Sequence, residues 1–225
     1  KAFILFDGIE SVGVAVGAWV VDGASLAPIL GGNNNADGSS ASVVVANVVH
    51  ELSPTQAAMY SGLAKRDERR IVAIGMGGLG SQIAMNLARS GSGEWTLVDD
   101  DAFMPHNAVR HALEGGYVVG RNKAECIAMY MNSLSPSEEI ARFLPVNYHR
   151  PEDQHNQLVE AITASNLVLD MSASVAVARE LSDEDRESRA VSLFLTPSGE
   201  DLVMLAEDSE RRLRLDDLEM LYYKA

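Results

Sequence analysis

The sequence predicts an α/β fold over residues 67–225: a doubly wound, mostly parallel sheet with helices on both faces. Three observations predict it. Short apolar runs alternate with segments whose apolar residues recur at helical spacing, the order that builds strand–helix–strand crossovers. A glycine-rich turn, 75–80, joins the first of these strands directly to the first of these helices. A carboxylate, Asp99, closes the next strand nineteen residues after the last glycine of that turn.

Residues 1–66 form an N-terminal segment that the pattern leaves unassigned. Residues 12–21 are valine-rich and broken by Gly13 and Gly17, which reads as one strand or a pair of short ones, and residues 43–49 read as another. Residues 33–40 are polar and loop-like. Ser53-Pro54-Thr55-Gln56 places serine as N-cap, proline at the first helical position and glutamine where it completes a capping box, so a helix is expected from there to about Lys65. Residues 66–70 read as a charged connector, with the domain boundary beside it.

Beyond it, residues 71–74 are a short apolar strand. Leu79, Ile83, Ala84, Leu87 and Ala88 share one helical face, and Ser90-Gly91 stops that helix. Strands follow at 95–98, 143–148 and 166–169, with helices at 121–134, 154–164 and 175–187. Residues 191–195 and 202–206 pair antiparallel around Pro197-Ser198-Gly199.

Composition narrows the function. The 225 residues hold 18 basic and 32 acidic side chains, a formal charge of −14, which disfavours a phosphate-backbone partner such as nucleic acid. No apolar run reaches the ~18 residues that a membrane span needs. A single cysteine, Cys126, excludes an internal disulfide framework and any multi-cysteine zinc site, and points to a reducing, cytoplasmic compartment. Cys126 itself reads as a small buried residue on its helix. The chain starts at Lys1 rather than methionine, and reads as a piece of a longer product. Five histidines, His50, His106, His111, His149 and His155, show no ligand spacing and read as solvated or capping residues, and the basic run 211–214 reads as a solvated turn.

Gly75-Met76-Gly77-Gly78-Leu79-Gly80 opens the helix that follows strand 71–74. A glycine turn lets backbone N–H groups approach phosphate oxygens, and the positive end of the helix favours their charge. Asp99, at the end of the next strand, is placed to accept hydrogen bonds from ribose hydroxyls. The site is therefore Rossmann-like. Asn107, Arg110 and Lys123 follow Asp99 at short intervals, and such a clamp suits a triphosphate better than the dinucleotide of a dehydrogenase, which is held mostly by backbone.

These residues, together with Leu167-Val168-Leu169-Asp170 followed by Arg179, resemble the ThiF/MoeB/HesA adenylyltransferases, relatives of ubiquitin-activating enzymes, over about residues 69–225. The resemblance implies a ubiquitin-activating-enzyme-like adenylation domain. It implies an ATP site, with Gly75, Gly77, Gly78 and Gly80 at the phosphates, Asp99 on ribose, Asn107, Arg110 and Lys123 on the phosphates, and Asp170 on Mg²⁺. Arg110, Lys123 and Asp170 would serve catalysis. The implied reaction is adenylation of the C-terminal glycine carboxylate of a ubiquitin-like or sulfur-carrier protein, and the implied assembly is a homodimer. The chain departs from the pattern in lacking paired Cys-x-x-Cys zinc elements, a cysteine after Asp170, any arginine before Arg66, and the second acid and asparagine in Met171-Ser172-Ala173-Ser174. Two alternatives share this pattern: a nicotinamide-dependent oxidoreductase and a non-catalytic scaffold subunit of an activating-enzyme pair.

Overall fold

The structure, a computed structural model, describes residues 51–224 in full and, of the first fifty residues, the backbone course of five strands. These are β1 (Ala2–Asp7), β2 (Glu10–Val16), β3 (Trp19–Asp22), β4 (Ser25–Pro28) and β5 (Val43–Asn47). β1 pairs antiparallel with β2 and parallel with β5, while β3 and β4 form a separate hairpin. The valine-rich stretch thus divides between β2 and β3. The polar segment 33–40 lies outside the described residues.

The chain divides into two compact units, Lys1–Glu51 and Leu52–Ala225. The division falls before the capping box, so the helix expected in the N-terminal segment belongs to the second unit. That helix, α1 (Pro54–Tyr60), begins as its sequence dictates: the Ser53 hydroxyl accepts the Gln56 N–H at 3.2 Å and the Gln56 side chain accepts the Ser53 N–H at 3.0 Å. It ends five residues early. Gly62 takes φ +81°, Leu63 N–H donates to Ala58 C=O at 2.9 Å and Gly62 N–H to Met59 C=O at 3.0 Å, a Schellman closure. α1 lies against the turn at Gly91, where a methyl group would come within 2.1 Å of the Pro54 carbonyl oxygen.

The sheet of the second unit comprises β6 (Asp67–Ile74), β7 (Ser92–Val98), β8 (Ala141–Leu144), β9 (Leu167–Asp170), β10 (Arg189–Leu195) and β11 (Leu202–Ala206). The helices are α2 (Gly78–Arg89), α3 (Lys123–Leu134), α4 (His155–Ala164), α5 (Val175–Asp183) and α6 (Leu215–Lys224). Strand order is β11-β10-β9-β6-β7-β8, parallel except for the β10–β11 hairpin. The sheet is doubly wound: the chain starts in the middle at β6, builds out to β8, and returns to the other side of β6 as β9. Ligands of such sheets bind outside the carboxyl ends of the strands where the winding reverses, here between β6 and β9.

Within β6 the run Ile71–Ile74 is buried on both faces by alternation. Ile71 and Ala73 join Trp95, Leu97, Met85, Ile127 and Met131 under α2 and α3. Val72 and Ile74 join Val98, Val168, Leu158 and Leu181 under α4 and α5. The expected charged connector is in fact the exposed first half of β6: Asp67 and Arg69 pair at 2.6 Å, and Arg70 N–H donates to the Asn166 side chain at 2.9 Å. The strand expected at 143–148 ends at Leu144 because Pro145 brings no N–H to the ladder.

The basic run 211–214 is not a solvated turn. Arg211, 8% exposed, donates to Glu207 at 3.0 Å and to the carbonyls of Leu181 (3.2 Å), Glu184 (3.0 Å) and Arg186 (2.7 Å). Arg214 donates to the Ser182 carbonyl at 2.8 Å. The last carbonyls of α5 lack helical partners, and a planar guanidinium with five donors satisfies several at once. Glu207, fully buried, also accepts the Ala190 N–H at 2.7 Å and faces Arg186 at 3.3 Å. Of the three arginines only Arg212 behaves as a surface residue, with a side chain 74% exposed; Leu213 beside it is exposed as well. Arg211→Ala should therefore cost about 3–5 kcal/mol by leaving Glu207 and these carbonyls unpaired, and Arg212→Ala no more than about 0.5 kcal/mol; urea unfolding of the two variants measures the difference.

Candidate nucleotide site

The four glycines of the β6–α2 turn do different work. Gly75 sits at φ +88°, with its Cα so close to the β9–α5 loop that a methyl group would fall 2.6 Å from the Ser172 Cα. On Gly80 a methyl would lie 1.9 Å from the Gly75 carbonyl oxygen, so the first turn of α2 rests directly on the bend. Gly77 faces open space, and Gly78 faces the aliphatic stem of Arg110.

Between these glycines Met76 is wholly buried. Its N–H donates to Asp99 Oδ2 at 2.5 Å, and its carbonyl accepts from His111 Nε2 at 2.8 Å. Asp99 Oδ1 accepts the Asp101 N–H at 2.8 Å. Asn122 caps α3 through its side-chain oxygen and donates its amide to the Asp99 carbonyl at 2.8 Å. That cap sets Lys123 at the start of α3, where its buried ammonium donates to Asp101 at 2.7 Å. Burial pushes the pKa of Asp99 up, offset in part by the N–H groups of Asp101 and Met76.

A cleft of ≈ 280 Å³ opens here at the winding reversal. Gly75, Gly77, Asp99 and Lys123 line one side, and Asn147, Tyr148 and His149 the other. Tyr148 donates to Glu184 at 2.8 Å and His149 Nδ1 meets Glu180 at 2.6 Å, which anchors that wall to α5 and the residue just beyond it. A larger cleft of ≈ 480 Å³ between α4 and the β6–β8 face holds neither the glycine turn nor Asp99, and we assign it no nucleotide chemistry.

The remaining residues singled out from sequence lie around the cleft rather than on its lining. Arg110 is exposed, its stem lying on Gly78. Asn107 is buried in the short helical turn Pro105–Val109, where its side-chain oxygen accepts the Met104 N–H at 2.8 Å. Asp170 is 1% exposed: Oδ1 accepts the Ser172 N–H (3.1 Å) and hydroxyl (2.6 Å), and Oδ2 accepts the Ser192 hydroxyl (2.8 Å). Burial raises its pKa from the ordinary carboxylate value, offset in part by the hydrogen bonds from Ser172 and Ser192. With three donors on two buried oxygens, Asp170 as packed does not fit a Mg²⁺ ion, which requires open oxygen ligands. The neighbouring trio Asp99, Asp100 and Asp101 brings three carboxylates together among the described residues, but Met76, Asn147 and Lys123 already donate to them.

A family model described as the ThiF family matches residues 52–184, more than half of the chain. The chain belongs to the ThiF family. Molybdopterin-synthase adenylyltransferase of Salmonella typhimurium is 30% identical over 122 residues, covering 54% of this chain and 47% of that one. The uncharacterized protein y4qC of Sinorhizobium fredii is 31% identical over 138 residues, 58% of this chain and 23% of that one. The SAMP-activating enzyme E1 of Haloferax volcanii is 33% identical over 107 residues, 46% of this chain and 36% of that one. This ThiF-family chain thus spans less than half the length of these relatives.

Two features of this ThiF-family site escaped the sequence pattern. His111, expected to be solvated or capping, is buried against the glycine turn, with Phe103 edge-on to its ring at 5.0 Å. Tyr148, the last residue of the strand expected at 143–148, and His149, expected to be solvated or capping, form the cleft wall instead. Neither segment has a period to betray it; the one available signal was that His111 directly follows Arg110. Cys126 is buried on the core face of α3, where burial pushes its thiol pKa up. Arg179 pairs with Glu219 of α6 at 3.0 Å. Among the described residues no helix is long and apolar enough to cross a membrane.

Gly80→Ala should abolish folding or cost about 3 kcal/mol or more through overpacking against backbone, whereas Gly77→Ala should cost no more than about 1 kcal/mol as a weaker N-cap; thermal unfolding separates them. Asp170 has a folded-state pKa raised from 3.8, so the stability it contributes is complete below that value and is lost as pH rises through the folded one. Relative to Asp170→Asn, the wild type should therefore lose ground in urea midpoint as pH rises above 3.8. A difference that stays constant over that rise would contradict the burial cost.

Proposed function

We propose that this chain uses ATP to adenylate the C-terminal glycine carboxylate of a ubiquitin-like or sulfur-carrier protein, giving an acyl-adenylate and pyrophosphate. The observation that carries the reading is the joint presence of the glycine turn, Asp99 and Lys123 on one cleft at the winding reversal of a ThiF-family sheet. The names of the Salmonella and Haloferax relatives, an adenylyltransferase and an activating enzyme, support it.

In this reading the N–H groups at the start of α2 and the positive end of its dipole receive the phosphates. Asp99, with two of its lone pairs already holding Met76 and Asp101, accepts the ribose hydroxyls with the others. One acceptor carboxylate oxygen attacks the α-phosphorus; the bond to the bridging oxygen of pyrophosphate breaks and its electron pair leaves with the pyrophosphate. The acceptor carboxyl is already ionised near neutral pH, so no base is required. The cost lies in bringing two anions together, and Lys123 and Arg110 would offset it by neutralising charge as it develops on the departing group. Asn107 would complete the clamp through its side-chain N–H₂. Mg²⁺, which the family resemblance implies, does not fit Asp170 as packed.

Calorimetric titration with ATP and with NAD tests the nucleotide. ATP should bind and NAD should not, and Arg110→Ala or Lys123→Ala should weaken ATP by about ten- to a hundredfold, the worth of one charge-assisted hydrogen bond, with unchanged circular dichroism. Pyrophosphate exchange that depends on a ubiquitin-like protein ending in glycine tests the reaction. Tight NAD binding with no response to ATP would replace this reading with an oxidoreductase, and ATP binding without exchange in the full-length protein would favour a scaffold subunit.

A further inference from the structure

We infer that His111 is a positioning residue that, with Ser81, holds Arg110 against the first turn of α2, where it meets the nucleotide phosphates. This rests on the ATP reading above. Three contacts fasten the segment carrying Arg110 to the glycine turn. His111 Nε2–H donates to the Met76 carbonyl at 2.8 Å. Ala112 N–H donates to the hydroxyl of Ser81, a fully buried residue of α2, at 3.0 Å. The Cγ and Cδ of Arg110 lie where a methyl group on Gly78 would be only 3.1 Å from each.

The histidine acts as a single neutral tautomer. Nδ1 accepts the Leu113 N–H at 3.1 Å, so the ring proton sits on Nε2, the atom that reaches Met76. Burial lowers its pKa from the ordinary imidazole value, which favours the neutral ring. The opposite side of Met76 is held by Asp99. One buried residue therefore keys two separate segments to the same turn: the one that ends β7 and bears the ribose acid, and the one that bears the phosphate cation. A free surface arginine must surrender side-chain freedom to grip a phosphate. One whose backbone is fastened at 111 and 112 and whose stem rests on Gly78 has surrendered much of it before the ligand arrives.

The test is a binding cycle on the full chain with ATP as the titrant. His111→Phe keeps the ring and loses the donor, and should weaken ATP about tenfold, the typical worth of one hydrogen bond. His111→Gln restores an amide donor at a similar reach and should recover binding to within about threefold of wild type. In an Arg110→Ala background, His111→Phe should cost less than about twofold, because the residue it positions is gone. Wild-type affinity in His111→Phe, or an undiminished loss in the Arg110→Ala background, would overturn the inference and leave the histidine a merely structural support of the turn. Should His111→Phe not fold, Gly78→Ala carries the same cycle, since alanine favours the helix while its methyl displaces the Arg110 stem. Its loss of ATP affinity should vanish in Arg110→Ala, and an equal loss in both backgrounds would overturn the inference. A wild type that binds no ATP fails the adenylation reading itself; a wild type that binds ATP while His111→Phe binds equally well fails only this one.

Discussion

The main chain around Met76 is held from two directions, its N–H by the Asp99 carboxylate and its carbonyl by the His111 ring, and the cleft takes its shape from that grip. The grip is possible because the turn is pressed flat. Gly75 lies against Ser172 on one side, and Gly80 brings the first turn of α2 onto the Gly75 carbonyl on the other. Any side chain at either position would lift the helix away from β6, carrying its free N–H groups out of line with the cleft. Glycine here serves helix–strand packing at two positions, and open access at Gly77.

Charge is distributed in a way that bears on how such a cleft can work. A chain of formal charge −14 repels an anionic ligand at long range. At physiological ionic strength that repulsion is screened beyond about 8 Å, so donors close to the ligand in a partly dry cleft decide binding. Lys123 and Arg110, the two cations proposed to meet the phosphates, are both tied to the frame: Lys123 by the Asn122 cap and Asp101, Arg110 by its stem on Gly78. Elsewhere the fold spends its cations internally, with Arg186, Arg211 and Arg214 closing the open end of α5. Asp170 is likewise turned to internal use, its oxygens taken by hydroxyls of Ser172 and Ser192.

Much of the architecture is written locally. The alternation of apolar runs with helical periods announces a doubly wound sheet, because a strand buried on both faces and a helix buried on one leave different spacings. The Ser53 capping box, the glycine bend before α2 and the carboxylate closing β7 are equally legible, since each follows from dihedral preference or hydrogen-bonding chemistry within a few residues. Two element ends differ from the pattern for local reasons: Gly62 ends α1, and Pro145 ends β8.

The chain's own order of residues sufficed to announce the layered sheet and the glycine bend, because these depend on spacing. It could not announce the partners of groups that meet across long loops. His111 reaches Met76 from 35 residues away, Asp170 finds Ser192 on a strand 22 residues on, and Arg211 is drawn inside by carbonyls some 30 residues earlier. Whether a polar side chain faces water or the interior depends on which unsatisfied donor or acceptor the completed fold brings within 3 Å of it, and no local period records that.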